Sequence, residues 1–441
     1  MLESRLILAQ TASVPAGFVT RDDEMNLHAR HTPVQGSAFW KRPYPQVIKY
    51  MGSKAKLMDF VLEGLNVVHD GGVVCDLFAG ACSLSGTIGN QTTIVTNDIQ
   101  SYSSVIAHAY LHRLSENAYA LDIEEFCQRV QTDAVEMIKE LGDDLRYPSQ
   151  PSLEEFNVIE LRNQSLLTKS FVGDYHLFLK NYSGTWWSAE QCAWIDAARR
   201  AIDELLKRNE ICAGDHNIFL TCVMHAMAYC GQGTGHYAQY RDAKTRSSML
   251  DINLYRQKDI GKLFLKKFNA VSVWNREYVQ TNSSHRYLSA DYRKCLQQVP
   301  EATVYADPPY AFVHYSRFYH AIETFVLYDY PELQVKGGQI VKGRYREDRH
   351  QSPFSIRSQV PKAFEKMFEG VRDGNSNLVL SYSNTALLDL PQIGEIAADV
   401  FGDGYDLELI TTDHKHMTMG RRADRFRDVE EALLIAKRKK S

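Results

Sequence analysis

"GGVVCDLFAGACSLSGTIGNQTTIVTNDIQ", residues 71–100, sets two short apolar runs on either side of a loop of small residues. The first run, Val73 to Cys75, stops at Asp76, and the second, Ile94 to Thr96, stops at Asn97 and Asp98. The span between them holds a loop and a short helix. Strands separated in this way do not make a tight hairpin; they predict parallel neighbours joined by a crossover helix. Further apolar runs return later, in "RYLSADY" (286–292), "ATVYADPPY" (302–310), "NLVLSYSN" (377–384), "YDLELITT" (405–412) and "EALLIAK" (431–437). The expected fold class is α/β, with a mostly parallel sheet and helices packed on it.

Outward from that stretch, "SKAKLMDFVLEGLNVV" places Leu57, Phe60, Val61 and Leu65 at helical spacing behind Ser53 as a cap. Residues 1–45 contain Pro15, Pro33, Pro43 and Pro45 without a sustained period, and read as an irregular N-terminal extension. Residues 111–283 lose the strand rhythm and read as a mainly helical insert, which leaves 46–110 and 284–441 as one discontinuous domain. Within the insert, "WSAEQCAWIDAARRAIDELLK" predicts a helix with a Ser188–Gln191 capping box and Trp194, Ile195, Ala198, Ile202, Leu205 and Leu206 on one face. "IFLTCVMHAMAYC" predicts a buried helix, with His225 a satisfied core residue rather than a metal ligand.

A chain of 441 residues with 44% hydrophobic content can bury a sizeable core and exceeds the usual single-domain length. No basic, then apolar, leader opens it and no run approaches the ~18 apolar residues of a membrane span, so a cytoplasmic protein is expected. Its eight cysteines are scattered without a C-x-x-C pair, which predicts reduced, mostly buried thiols and no metal site. The net charge of −4 argues against nonspecific nucleic-acid binding by the chain as a whole. Two segments differ. Residues 333–362 hold seven basic against two acidic residues, and 236–268 hold eight against three. Their interleaved aromatics make a polyanion surface, with Arg241, Lys244, Arg246, Lys342, Arg344, Arg346 and Arg349 as candidate phosphate contacts.

In "TVYADPPYAF", residues 303–312, two prolines end a strand at Asp307 and stiffen the chain behind it. Asp307 supplies acceptor oxygens, the Pro308 carbonyl another, and Tyr310 a flat face with a polar tip. That set fits a flat ring bearing an amine. At the first strand end, the small residues after Asp76 let backbone amides approach a ligand, and Asp98, 22 positions on, can accept from both hydroxyls of a ribose. Neither G-x-G-x-x-G nor G-x-x-x-x-G-K-[ST] occurs, so the ligand implied is a nucleoside without phosphates.

With "KYMGSK", "DLFAGACSLSG", "TNDIQ", "SADY", "ADPPY" and "LVLSYSN" in this order, the chain resembles the Dam-like (D12-class) adenine-N6 DNA methyltransferases. The resemblance implies a Rossmann-like methyltransferase fold: a seven-stranded, mostly parallel sheet with helices on both faces and an inserted target-recognition domain. It implies S-adenosylmethionine as cofactor, bound by Tyr50, Gly52 and Lys54, by Asp76, Phe78 and Gly80, by Asp98 with Ile99, and by Asp291 with Tyr292. It makes Asp307, Pro308, Pro309 and Tyr310 the catalytic motif, acting on an adenine flipped out of double-stranded DNA. It also implies a restriction-modification, phage or epigenetic setting, with a cognate restriction endonuclease acting separately, and neither metal nor membrane.

Cytosine-N4 enzymes of similar kind usually carry serine, and those acting on RNA or protein amides asparagine, where this chain has Asp307, which favours adenine. A different class of protein, a noncatalytic DNA-binding regulator with a degenerate cofactor pocket, is the other reading. Two features motivate it, the acidic net charge and a departure from the pattern: the family usually has glycine at Cys82, in F-x-G-x-G. A side chain there is expected beside the cofactor, with strain of about 1 kcal/mol or more if the residue adopts a positive φ.

Overall fold

The computed structural model describes residues 19–20, 38–233, 235–280, 284–309, 314–384, 386–417 and 426–440. Seven strands build the main sheet: β1 (Val74–Asp76), β2 (Ile94–Asn97), β3 (Arg286–Leu288), β4 (Thr303–Ala306), β5 (Asn377–Ser383), β6 (Tyr405–Met417) and β7 (Phe426–Arg438). They lie in the order β6-β7-β5-β4-β1-β2-β3. All pairings from β5 to β3 are parallel, while β7 runs antiparallel to β5 and β6. This is the mostly parallel α/β sheet expected. Val19–Thr20 adds a short parallel pairing to β6 at Glu408 and Leu409, so regular structure reaches into the segment read as irregular.

Strands β1, β2 and β4 are buried along their whole length, which is why they appear in the sequence as continuous apolar runs rather than alternating ones. The chain steps outward from β1 to β2 and β3, then crosses back to β4 on the other side of β1. Crossovers leaving in opposite directions open a crevice at the carboxyl ends of β1 and β4. Asp76 ends β1, Asp98 follows β2 and Asp307 follows β4, so three acids converge there.

Each face of the sheet has its own apolar layer. On one, the helices 292–298, 360–373 and 390–401 pack through Leu296, Phe364, Phe368 and Ile393. On the other lie α1 (Met58–Val68), α2 (Ser83–Ile88) and α3 (Ser101–Leu111). That second layer does not stop at the sheet domain: Leu65, Ile106 and Tyr110 belong to one continuous core with Trp194, Phe219 and Phe264 of the helices between 113 and 279. The inserted helices therefore share an interior with α1 and α3, and only an outer cluster around Phe156, Met249 and Ile252 is their own.

Local expectations within the insert are met. Ser188 and Gln191 exchange both capping-box bonds at 3.1 Å, starting the helix Ala189–Lys207. His225 Nδ1 lies 2.7 Å from the Val47 carbonyl and its ring stacks on Tyr229, the satisfied position expected. All eight cysteines are free. Among the described residues no helix is long and apolar enough to cross a membrane.

Candidate functional site

The crevice at the strand ends is a cleft open to solvent. Every residue assigned to the cofactor from the sequence lines it: Tyr50, Gly52, Lys54, Asp76, Phe78, Gly80, Asp98, Ile99, Asp291 and Tyr292. So do Asp307, Pro308 and Pro309, whereas Tyr310 falls outside the described residues.

Backbone geometry shapes the loop after β1. Leu77 N–H donates to Tyr305 O and Ala79 N–H to Asn97 O, at 2.9 and 2.8 Å, which seats the loop between β4 and β2. Gly80 has φ +51°, and a Cβ there would fall 2.9 Å from the Tyr50 hydroxyl. Only glycine allows both that backbone and that approach. Tyr50 in turn stacks on Tyr319, with ring centroids 4.5 Å apart, making an aromatic wall. Phe78, Tyr292 and Phe354 form a second wall at 5.3–5.9 Å between centroids.

Cys82 adopts the left-handed conformation, φ 57°, at the start of α2, so the strain expected there, about 1 kcal/mol or more, is present. Its side chain is not beside the ligand space, however. It is fully buried beneath the loop, with Sγ 3.2 Å from the Ser103 carbonyl of α3. Its neighbours Ala81 and Ser83 line the cleft instead.

The acids differ in how they are held. Asp98 accepts from Gly80 N–H through Oδ2 at 3.0 Å and from Gln100 N–H through Oδ1 at 2.9 Å, and its carboxylate lines the cleft. Burial pushes its carboxyl up to about 6, against the lowering effect of those amides. Asp76, buried, is pushed well above the carboxylate range by desolvation and by Asp307 and Asp98 nearby. Asp291 caps the helix Tyr292–Gln298, and its bonds to Arg293 outweigh desolvation and hold it below the usual range.

Asp307 is the most exacting case. Its Oδ1 is buried without a hydrogen-bond partner, 3.6 Å from Lys54 Nζ, and Lys54 itself bonds Glu431 at 2.9 Å. Desolvation, opposed by Lys54 and reinforced by Glu431, pushes the Asp307 carboxyl up to about 7. Glu431, on β7, was not singled out from the sequence; an acid before the apolar run "ALLIA" is the signal that could have found it. Asn97 and Glu323 were missed as well. Asn97 ties Leu77 and Ala290 together, closing the cleft between β1 and the 289–291 loop. Glu323 accepts from the Ser101 and Tyr102 amides, both at 3.0 Å, and so holds the start of α3.

The two basic segments lie side by side. Lys342 pairs with Asp242 and its ammonium sits over the Tyr240 ring. The candidate phosphate contacts divide, however. Lys244 and Arg246 are exposed, and Arg241 and Lys342 are exposed but paired with acids. Arg346 is held bidentate by Asp329, and Arg349 is half-buried over Tyr345. Arg344 is buried and donates to the Asn181 carbonyl at 2.5 Å. Arg344 is therefore a structural cation, not a phosphate contact, because the residues around "GRYR" fold inward between the insert and the helix 320–327. Arg344→Ala is expected to cost about 1.5–3 kcal/mol of stability through the lost charged hydrogen bond. A lowered denaturant midpoint with an unchanged salt dependence of DNA binding would verify it. Lys244→Ala with Arg246→Ala should instead flatten the salt slope of DNA binding by up to about 1.8 units if both touch duplex phosphates.

Comparison with known proteins agrees with this geometry. Residues 50–165 match the family model described as D12 class N6 adenine-specific DNA methyltransferase. The chain is 23% identical over 371 residues to modification methylase LlaI of Lactococcus lactis subsp. lactis, covering 83% of this chain and 51% of LlaI. It is 23% identical over 348 residues to type II methyltransferase M.FokI of Planomicrobium okeanokoites, covering 77% and 45%. With type II methyltransferase M.NlaIII of Neisseria lactamica it shares 22% identity over 371 residues, 82% of this chain and 90% of that one. The chain thus spans about half the length of the first two relatives and nearly all of the third.

Proposed function

We propose that this chain, which carries a D12-class N6 adenine-specific DNA methyltransferase segment at residues 50–165, transfers a methyl group from S-adenosylmethionine to the amine of an adenine flipped out of duplex DNA. One observation carries the reading: Asp307, its Oδ1 set against Lys54 and the rest of its carboxylate part-exposed, lines the same cleft as Asp98 and two aromatic walls. A carboxylate oxygen kept open to the cleft can accept from a ligand's N–H.

The cofactor supplies an electrophilic methyl group on a sulfonium sulfur. The rest of the task falls to the chain. Gly80 lets the backbone approach the nucleoside, Asp98 accepts from its ribose hydroxyls, and Phe78 with Tyr292 offers an apolar wall for its base. Asp307 accepts an N–H of the target amine, which favours a pyramidal nitrogen with its lone pair aimed at the methyl group. Pro308 and Pro309 keep that acceptor from relaxing. Lys54, paired with Glu431, balances the Asp307 charge from below. The exposed cations Lys244 and Arg246, with Arg241 and Lys342 beside them, mark the side of the inserted helices that faces DNA. The relatives' names, type II methyltransferases and modification methylases, support a restriction-modification setting with a separate endonuclease.

Only the ionised Asp307 accepts without donating, so methyl transfer should fall as pH drops through about 7, with a slope of one proton. Glu431→Gln removes a negative charge that raises the Asp307 carboxyl and should move this acid limb to lower pH. The sign for stability is opposite. A carboxyl raised on folding favours the ligand-free fold at low pH, and that contribution is lost as pH rises through about 7. A pH profile of single-turnover transfer, wild type against Glu431→Gln, measures the first effect.

The deciding experiment incubates the chain with cofactor labelled in its methyl group and duplex DNA, then digests the DNA to nucleosides. Label in N6-methyl-2′-deoxyadenosine supports the reading. Label in N4-methyl-2′-deoxycytidine would move the substrate to cytosine, and DNA binding without transfer would leave a noncatalytic regulator.

A further inference from the structure

Helix α3 begins beside Asp98 and ends at His112, where it meets the start of the helix Ala213–Cys230. Cys212 caps that second helix and Asp215 stands in its first turn. His112 Nε2 lies 3.5 Å from Cys212 Sγ and 3.4 Å from Asp215 Oδ1, and one ligand atom from each residue lies within 4.8 Å of the others. We propose that His112, Cys212 and Asp215 form a three-ligand Zn²⁺ site, with the fourth position open to water.

The distances carry the assignment. With Zn–S about 2.3 Å and Zn–N and Zn–O about 2.1 Å, a tetrahedral ion has an S···N edge of about 3.6 Å and an N···O edge of about 3.4 Å, each within about 0.1 Å of the distances here. Two edges of that tetrahedron already exist. The third, from Sγ to the Asp215 carboxylate, is already within 4.8 Å, and a small shift of the exposed Cys212 side chain, which now accepts from Asp215 N–H at 3.5 Å, shortens it. The other two ligands are held in place. Asp215, fully buried, accepts from Ser115 N–H at 2.9 Å, Ser115 O–H at 2.6 Å and Cys212 N–H at 3.1 Å, the outer hydrogen bonds that orient a ligating carboxylate. The His112 ring lies flush on Gly214, where a Cβ would come within 2.3 Å of it. One thiolate, one imidazole and one carboxylate form a donor set for Zn²⁺ rather than for Mg²⁺ or Ca²⁺, which take oxygen.

The sequence predicts no metal because His112 and Cys212 are 100 residues apart and no C-x-x-C-like spacing exists. Folding brings them together across the junction between the sheet domain's α3 and the inserted helices. An ion there ties the far end of α3 to the insert, while Glu323 holds its near end at the cleft.

The test uses the full chain, stripped with a chelator and dialysed into metal-free buffer. Zn²⁺ titrated against a chromophoric competitor should bind with one equivalent per chain. Co²⁺ in its place should show a thiolate-to-metal charge-transfer band and the intense visible bands of a tetrahedral site. Cys212→Ser, at an exposed position, should remove the charge-transfer band, and His112→Gln should weaken Zn²⁺ binding at least about 10-fold. Thermal melts of the same samples separate lost ligation from lost folding: Zn²⁺ should raise the wild-type midpoint and leave that of Cys212→Ser unmoved. Absence of Zn²⁺ uptake, or a Co²⁺ spectrum unchanged in Cys212→Ser, overturns the site.

Discussion

Asp307→Ala is expected to lower the rate of methyl transfer at least about 10²–10³-fold while leaving cofactor affinity nearly unchanged. The magnitude is that of removing one pre-aimed polar group from a water-poor site. Affinity should survive because Asp307 follows β4 and is paired with Lys54, while the Gly80–Asp98 contacts lie on the loop after β1 and at the end of β2. Removing a carboxyl that burial pushes up to about 7 also relieves a strained ionisation, so the variant should be at least as stable as the parent. Single-turnover transfer and calorimetric cofactor binding, measured on the same preparation, read the two quantities. Turnover near the parental rate would remove Asp307 from the mechanism.

Asp98→Ala is expected to produce the complementary pattern. It should weaken cofactor binding by about 1.5–3 kcal/mol, through lost hydrogen bonds to a charged acceptor. Some of that loss is indirect, since the same carboxylate accepts the Gly80 and Gln100 amides that shape the loop. The pH dependence separates the parts. Burial pushes Asp98 up to about 6, so in the parent the affinity should decline as pH falls through about 6, and in the variant that decline should vanish. Equal affinities for parent and variant in calorimetry would displace the ribose from Asp98.

What the sequence made legible was local. Apolar runs that end on acids marked β1, β2 and β4 because those strands are buried on both faces, and the small residues around Gly80 marked a loop that must approach something closely. Ser188 and Gln191 announced a helix start because capping needs only three residues of spacing. The hidden parts depend on contacts that spacing does not encode. Lys54 and Glu431 are separated by 377 positions and meet only because β7 inserts antiparallel beside β5. Arg344 looked like a phosphate contact from its charged neighbours, yet its own side chain turns inward to Asn181, 163 positions away. The left-handed backbone at Cys82 could be anticipated from a position where glycine is usual, while the direction of its thiol could not.

Under the proposed function, in which the inserted helices face DNA, the interior they share with α1 and α3 bears on how a target preference would change. A module with its own core can be exchanged whole between relatives by recombination, because both cut surfaces are polar. Here a crossover near residues 112 and 279 would sever Ile106 and Tyr110 from Trp194, Phe219 and Phe264, leaving two apolar scars where one core stood. A chain whose helices 113–279 are exchanged whole for a relative's is therefore expected to lose stability. Change must come by substitution on the outward sides of the helices, one viable protein at a time, with the buried half of each helix serving as a brake on how far its outer half can drift.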